Sequence, residues 1–417
     1  MVAGVNPQVG RVFTVIGTCG FTPAAVPLRS RDAPMKIVHI ITRLIVGGAQ
    51  ENTLLSCEGQ HARGHDVTLV TGPAIGPEGS LMPRATGGGY RVVTVDAMRR
   101  SIGPKDVTTY RQLVRTLRDL RPDVVHTHSS KAGILGRYAA KAAGVPKIVH
   151  TIHGLAFTAS TRKWVNYGYK IAERRAAKVT DTIVCVADAM AEQSLAAGIG
   201  RREQYVTVYS GMETQPFLNP PQNRREFNRA AFPPDAIFVG TIARLFDLKG
   251  HDDLIDLAPD LCRRFPNLHF LWVGDGSLRQ RLTARIAAAG LSDRFWFSGL
   301  VPPEQVPEWT AAMDILVHPS RREGLARALP QGQLAGCPVV TYDIDGNREG
   351  LIDGETGYLV KPFDVVAFGD KLATLLADPA KAKAMGEKGR TFAAGRFDTK
   401  VMVDGLERVY ASASLSR

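Results

Sequence analysis

The sequence predicts an α/β fold made of two facing, doubly wound parallel-sheet domains with a cleft between them. Short β-branched runs of nearly unbroken apolar residues recur along most of the chain, the pattern of strands buried on both faces. Stretches long enough for a crossover helix separate most of these runs, which makes neighbouring strands parallel. A polar, proline-rich break, "NPPQNRREFNRAAFPPD" (219–235), interrupts the alternation near the middle. At 417 residues the chain exceeds one ordinary core, and two units of about 200 residues each are expected.

Taken in order, residues 1–34 are expected to form a flexible extension. Its longest apolar run, Val12 to Phe21, is broken by Gly and Thr and lacks the basic start of a secretory signal. Folding starts at "MKIVHIIT" (35–42). The strands of the first domain (35–215) are "KIVHII", "DVTLV" (66–70), "RVVTV" (91–95), "DVVHTH" (123–128), "KIVHTI" (147–152), "TIVCVA" (182–187) and "YVTVY" (205–209). A helix from about Val107 places Arg111, Arg115 and Arg118 opposite Tyr110, Leu113, Val114 and Leu117. The second domain (216–397) restarts with "IFVGTI" (237–242), then "LHFLWV" (268–273), "RFWFS" (294–298), "DILVH" (314–318), "PVVTY" (338–342) and "YLV" (358–360). From about 365 the chain reads as helical, and the last helix (398–417) is expected to cross back to the first domain.

With 44% hydrophobic and 22% charged residues, the composition is that of a soluble globular protein. No apolar run reaches the ~20 residues of a membrane span. The five cysteines (Cys19, Cys57, Cys185, Cys262, Cys337) are odd in number and form no C-x-x-C pair, which argues against a disulfide framework and for a reducing, cytoplasmic setting. The net charge is +12, part of it at Arg99, Arg100, Lys105, Arg111, Arg115 and Arg118. That face reads either as a solvated surface or as a peripheral contact with anionic membrane or lipid-linked phosphate. Nucleic acid is not expected, because no recognition motif accompanies the charge.

Open sheets bind ligands at the carboxyl ends of their strands, so the loops there are where chemistry is expected. After the first strand, Gly47 and Gly48 precede a helix starting near Ala49, which suits either an anion at the helix start or a plain tight turn. Neither a G-x-G-x-x-G fingerprint nor a Walker loop is present. In "GTIARLFDLKGHDDL", Arg244 and Lys249 lie just past a buried strand. Two fixed cations there neutralise a diphosphate without a metal; the alternative is a solvated loop. In "SRREGLARALPQGQLAGCPVV" (320–340), Glu323 precedes a helix expected to begin with Gly324, Leu325 and Ala326, a second anion cradle with a carboxylate beside it. Pro330 calls for a kink or a late start in that helix.

His126 and His128 end one strand, and His153 with Gly154 ends the next. His126 and His128 share a strand face, as two metal ligands would. No carboxylate or cysteine stands at ligand spacing, so no metal is expected. His126 and His150 are expected inside the sheet, with His128 and His153 reaching the cleft.

Together these pieces resemble family 4 of the retaining nucleotide-sugar glycosyltransferases, the group 1 type with the GT-B fold. The resemblance runs from about Met35 to the C-terminus. It rests on "GGAQE", "VHTHSSKAGILGR", "TIHG", "VYSGMETQPF", "GTIARLFDLKGHDDL", "WVGDGSLR", "FSGLV" and "EGLARALPQGQLAGCPVVTYDIDGNREG", in the expected order. It implies that the Gly47–Gly48 loop meets the donor diphosphate and the acceptor. His153 would contact the donor sugar or its developing positive charge, and Arg244 and Lys249 would bind the diphosphate. Gly299, Leu300 and Val301 would read the base. Glu323 would bond sugar hydroxyls, and the amides of Gly324, Leu325 and Ala326 would meet the distal phosphate. Gly211 joins the donor side; His128, Ser129 and Lys131 fall on the acceptor side.

The family carries two glutamates with seven residues between them, and the second position here is Gln331, which would grip the ribose. Hydrogen bonds to charged groups contribute about 1.5–3 kcal/mol and neutral ones about 0.5–1.5 kcal/mol, so the change weakens donor binding several-fold without abolishing reaction. The implied activity is transfer of a hexosyl unit, with retention, from a nucleotide-diphosphate sugar to a hydroxyl of a carbohydrate or lipid-linked acceptor. It would serve cell-surface polysaccharide or glycolipid synthesis and need no cofactor. A sugar-nucleotide epimerase or hydrolase on the same scaffold, or a non-catalytic nucleotide-sugar binder, are the competing readings. The joint presence of His153, Arg244, Lys249 and Glu323 favours an enzyme.

Overall fold

A computed structural model describes residues 33–75, 79–157, 162–220 and 235–412. The expected extension and most of the expected linker lie outside these residues.

All the strands anticipated from the apolar runs form, in two parallel sheets. The first sheet contains β1 (Lys36–Ile41), β2 (Asp66–Thr71), β3 (Arg91–Thr94), β4 (Val124–His128), β5 (Lys147–Ile152), β6 (Thr182–Cys185) and β7 (Tyr205–Thr207), ordered β3-β2-β1-β4-β5-β6-β7. The second contains β8 (Ile237–Ile242), β9 (Leu268–Val273), β10 (Phe295–Gly299), β11 (Ile315–His318), β12 (Val339–Tyr342) and β13 (Gly357–Val360), ordered β10-β9-β8-β11-β12-β13. In each sheet the chain reverses its direction of travel beside the first strand, between β1 and β4 and between β8 and β11. Such switch points open a crevice at the strand ends. Every residue of β4 and β9 is buried, as runs with no polar alternation require.

Of the first four helices three bear on the site: α1 (Gly48–Ala62) follows β1, α3 (Lys105–Leu120) follows β3 and α4 (Ser130–Ala142) follows β4, while the short α2 (Met82–Gly87) precedes β3. Helix α3 starts two residues before the expected Val107. Its Leu113 and Leu117 are buried, while Arg111, Arg115 and Arg118 stay exposed along a shallow groove. No helix among the described residues is long and apolar enough to cross a membrane.

The C-terminal third is helical, as expected. Asp364, Asp378 and Asp398 each accept a backbone N–H at the start of a helix, from Ala367 (3.0 Å), Lys381 (2.9 Å) and Lys400 (2.8 Å). Those helices span Val365–Ala377, Pro379–Arg396 and Thr399–Ala411. The last one crosses back. Met402, Val403, Leu406, Val409 and Tyr410 pack with Ile37, Leu55, Val124, Val149 and Val184, sealing one face of the first sheet. Burying five such side chains contributes on the order of 10 kcal/mol, at about 1.5–3 kcal/mol each. The second core, around Phe270, Trp272, Phe295 and Tyr342, is contained within the second half of the chain.

Candidate functional site

The second sheet supplies a charged cluster from two strand ends. β8 runs into a short 3-10 turn, Asp247–Lys249, that ends at Gly250 with φ 71°. A Cβ on Gly250 would lie 1.9 Å from the Pro319 carbonyl oxygen, so only glycine permits this turn. It lodges Lys249 against the segment after β11, where the Lys249 ammonium pairs with Glu323 Oε1. The same oxygen accepts a hydrogen bond from His318 Nε2 at 2.8 Å. His318 is the last residue of β11, and its place at a strand end is the signal that could have singled it out. Burial would raise the Glu323 carboxyl pKa. The Lys249 charge and the His318 hydrogen bond outweigh that and hold it well below the usual carboxylate range. Glu323 Oε2 has no partner among the described residues, and an ammonium has two further donors. The pair can therefore offer a sugar hydroxyl an acceptor and a phosphate oxygen a donor. Arg244 is exposed nearby in sequence, its guanidinium 4.8 Å over the Phe246 ring.

The expected helix start at Gly324 is corrected. Residues 324–327 form bends and a turn, and the helix runs Ala328–Leu334. Pro330 explains the delay: it falls in the first turn, where its missing N–H costs nothing. Leu325 and Ala326 are buried, and the Glu323 N–H is donated to Asp345 Oδ2 at 2.8 Å. Gln331, in the second turn, is partly exposed. On the far side, Gly299 adopts φ 72° at the end of β10 and Leu300 is 61% exposed, free to meet a flat ligand, while Val301 packs on the core.

The two halves touch across the cleft. A Cβ on Gly324 would lie 2.3 Å from the His153 carbonyl oxygen, and one on Gly346 would lie 2.5 Å from Ala187 Cβ. Arg327, which the sequence patterns did not single out, pairs with Glu51 of α1 at 3.1 Å and donates to the Gly211 carbonyl at 2.9 Å. Its side chain also crowds Gly48. Glu349 accepts the backbone N–H groups of Asp188 (2.7 Å) and Ala189 (3.0 Å) at the start of the helix Asp188–Ala196. Asp345 accepts from Gln193 at 2.9 Å. No side chain caps α1, which leaves the N–H groups of its first turn, beside Gly47 and Gly48, without a capping acceptor. Gly211 is buried, its N–H meeting Met402 Sδ at 3.1 Å and its carbonyl accepting from Arg327.

His153 lies just past β5 and lines a cavity of about 270 Å³ with Ala49, Ser129, Gly154 and Phe157. Burial and the Arg327 charge push its pKa down to about 3, so the ring is neutral. His128, expected at the cleft, is fully buried behind it: alternation on β4 turns residues 126 and 128 to one face, under the Thr399–Ala411 helix. His128 Nδ1 meets His153 Nε2 at 3.1 Å, and His128 Nε2 meets His39 Nδ1 at 2.9 Å. His126 and His150 sit inside the sheet, as expected. His39, His126 and His128 bring ring nitrogens within 4.8 Å of one another. Both nitrogens of each ring already have partners in the protein, at 2.6–3.1 Å, which describes a hydrogen-bonded array. Ser129 holds φ 61° and shares a hydrogen bond with Thr42 at 2.7 Å. Lys131 is paired with Asp106 and donates to the Ser101 carbonyl, so its charge is committed to the start of α3.

Sequence profiles divide the chain as its sheets do. The profile described as glycosyl transferases group 1 matches residues 222–392. The profile described as glycosyl transferase 4-like domain matches residues 47–211. The UDP-Gal:alpha-D-GlcNAc-diphosphoundecaprenol alpha-1,3-galactosyltransferase of Escherichia coli is 27% identical over 395 residues, covering 92% of this chain and 98% of that protein. The GDP-mannose-dependent alpha-(1-6)-phosphatidylinositol monomannoside mannosyltransferase of Mycolicibacterium smegmatis is 27% identical over 365 residues, covering 83% of this chain and 90% of that protein. Among solved structures, Anabaena Alr3699/HepE in complex with UDP-glucose superposes with a TM-score of 0.77 at 21% identity, covering 91% of this chain and 100% of that one.

Proposed function

The chain belongs to the group 1 glycosyltransferases with the GT-B fold, and from that premise we propose that it transfers a hexosyl unit, with retention, from a nucleoside-diphosphate sugar to a hydroxyl of a lipid-linked or polysaccharide acceptor. The observation that carries this is the Lys249–Glu323–His318 cluster facing His153 and the start of α1 across one cleft. The donor and acceptor classes are supported by the relatives, whose names specify UDP-Gal and GDP-mannose donors and diphosphoundecaprenol and phosphatidylinositol acceptors.

In this reading Arg244, Lys249 and the N–H groups at Gly47–Gly48 hold the diphosphate. Charge develops there as the bond from the anomeric carbon to the phosphate oxygen breaks. The acceptor oxygen bonds to the same face of that carbon, and its proton passes to a phosphate oxygen of the departing diphosphate. No carboxylate nucleophile is required. Glu323 orients the sugar through its free Oε2, and the neutral His153 lies beside it. With the charge met by fixed cations, the step as drawn needs no cofactor. Arg111, Arg115 and Arg118 on α3 are the candidates for a peripheral contact with anionic membrane.

The test is a panel of UDP- and GDP-sugars screened by thermal shift, since a selective ligand stabilises the fold by mass action. Incubation then follows with and without a polyprenyl-diphosphate-linked sugar. Transfer that keeps the donor's anomeric configuration is expected. Epimerised or hydrolysed donor at the same rate without acceptor would replace the transferase reading.

A further inference from the structure

Behind His153 runs a chain of side chains from three neighbouring strands, α1 and the final helix. Gln60 on α1 places its carbonyl Oε1 2.8 Å from His39 Nε2 and donates its amide to the Tyr410 hydroxyl at 3.1 Å. A carbonyl oxygen only accepts, so His39 Nε2 carries a proton. Burial lowers the pKa of every ring in the chain: His39 to about 4, His153 to about 3, and His128 well below the ordinary value. A neutral imidazole has a single N–H. His39 Nδ1 is therefore a lone pair and accepts from His128 Nε2 at 2.9 Å. His128 Nδ1 is then a lone pair in turn and accepts from His153 Nε2 at 3.1 Å.

We infer that Gln60, His39 and His128 are positioning residues for the transfer, fixing His153 as the Nε2–H tautomer so that Nδ1 offers the cleft a hydrogen-bond acceptor. Nδ1 is the one nitrogen of this ring without a partner among the described residues, and the ring lines the cavity. The opposite tautomer would present a donor there. The sugar hydroxyl that meets His153 is thereby required to donate, which selects for a free hydroxyl over an ether, ester or keto oxygen at that carbon. The chain has a second anchor. Tyr410 donates to His126 Nδ1 at 2.6 Å and His126 Nε2 donates to Thr151 at 2.6 Å, so the orientation of Gln60 is held from the final helix. This inference rests on the reading of His153 as the ring that contacts the donor sugar.

The test is a long-range proton–nitrogen correlation spectrum of the full chain labelled with 15N-histidine, with His153 assigned by its loss in His153→Asn. The native protein should show His153 as the neutral Nε2–H tautomer. Gln60→Leu should convert it to a mixture and lower kcat/KM by roughly 5-fold, the worth of one neutral hydrogen bond. Gln60→Glu, still an acceptor at that position, should keep the native tautomer and recover most of the rate. An Nδ1–H or doubly protonated His153 in the native protein overturns the inference, and so does an unchanged tautomer in Gln60→Leu. If Gln60→Leu does not fold, the native spectrum alone decides. The spectra need no substrate, so their failure is separable from a failure to find donor or acceptor.

Discussion

Replacing Gly324 by alanine tests the closure of the cleft directly. The new Cβ would lie 2.3 Å from the His153 carbonyl oxygen, where ordinary contact begins near 3.4 Å, and 3.4 Å from Val186 Cγ2. Backbone stands on both sides of this contact, so no flexible side chain can swing away. The segment carrying Glu323 and the end of β5 must separate by about 1 Å, and a misplacement of that size costs about 10²-fold in reaction rate. We expect kcat/KM with the preferred donor to fall by about 10²-fold. Neither sheet loses a core contact, so the melting temperature should fall by no more than about 4 °C, the shift that 1 kcal/mol produces in a unit of this size. Gly395→Ala is the control: it lies on the helix Pro379–Arg396, and a methyl group added there would meet nothing within 4 Å. Initial rates over a range of donor concentrations, paired with thermal melts, decide the matter. If Gly324→Ala keeps kcat/KM within about 3-fold of native, the close approach of the two halves is not what positions the reacting groups.

Three further outcomes follow from the charged cluster and the ribose position. Lys249→Ala should lower kcat by about 10²-fold or more, the scale for removing one fixed charge stabiliser, and near-normal steady-state turnover would remove Lys249 from the diphosphate site. Because the folded-state pKa of Glu323 is depressed, its stabilisation is present above the unfolded value near 4.3 and is lost as pH falls through the folded value. The gap in melting temperature between native protein and Glu323→Gln should thus stay level down to about pH 5 and narrow below about pH 4; a gap that widens on acidification contradicts the assignment. Gln331→Glu should tighten nucleotide binding several-fold, about 1 kcal/mol, by adding a charged acceptor for the ribose, and calorimetry showing equal or weaker binding would detach residue 331 from the ribose.

The two sheets were legible because parallel strands buried on both faces leave unbroken apolar runs such as "LHFLWV", and every residue of that run is buried. Lys249 and Glu323 were legible because each follows a strand end in its own sheet. Other parts left no local trace. His39 lies 89 positions before His128; they meet because β1 and β4 are neighbours with His39 opposite His126. Single-strand alternation could place His126 and His128 on one face, but not tell which face the last helix would cover. That is why His128 was expected at the cleft. Arg327 reads locally as one more charge in a helix, and its bonds to Glu51 and the Gly211 carbonyl exist only once the halves are docked.

The return of the last helix to the first sheet has a consequence during synthesis. A ribosome completes the seven strands of the first unit while the hydrophobic patch formed by Ile37, Leu55, Val124, Val149 and Val184 still lacks its cover. About 200 more residues must be made before Val403 and Leu406 emerge, a wait of roughly 10–40 s at 5–20 residues per second. For that interval the nascent chain carries an uncovered greasy face, a natural place for a holding chaperone. A tag or truncation at the carboxyl end would prolong that exposure, and is expected to reduce soluble yield more than the same change at the other end of the protein.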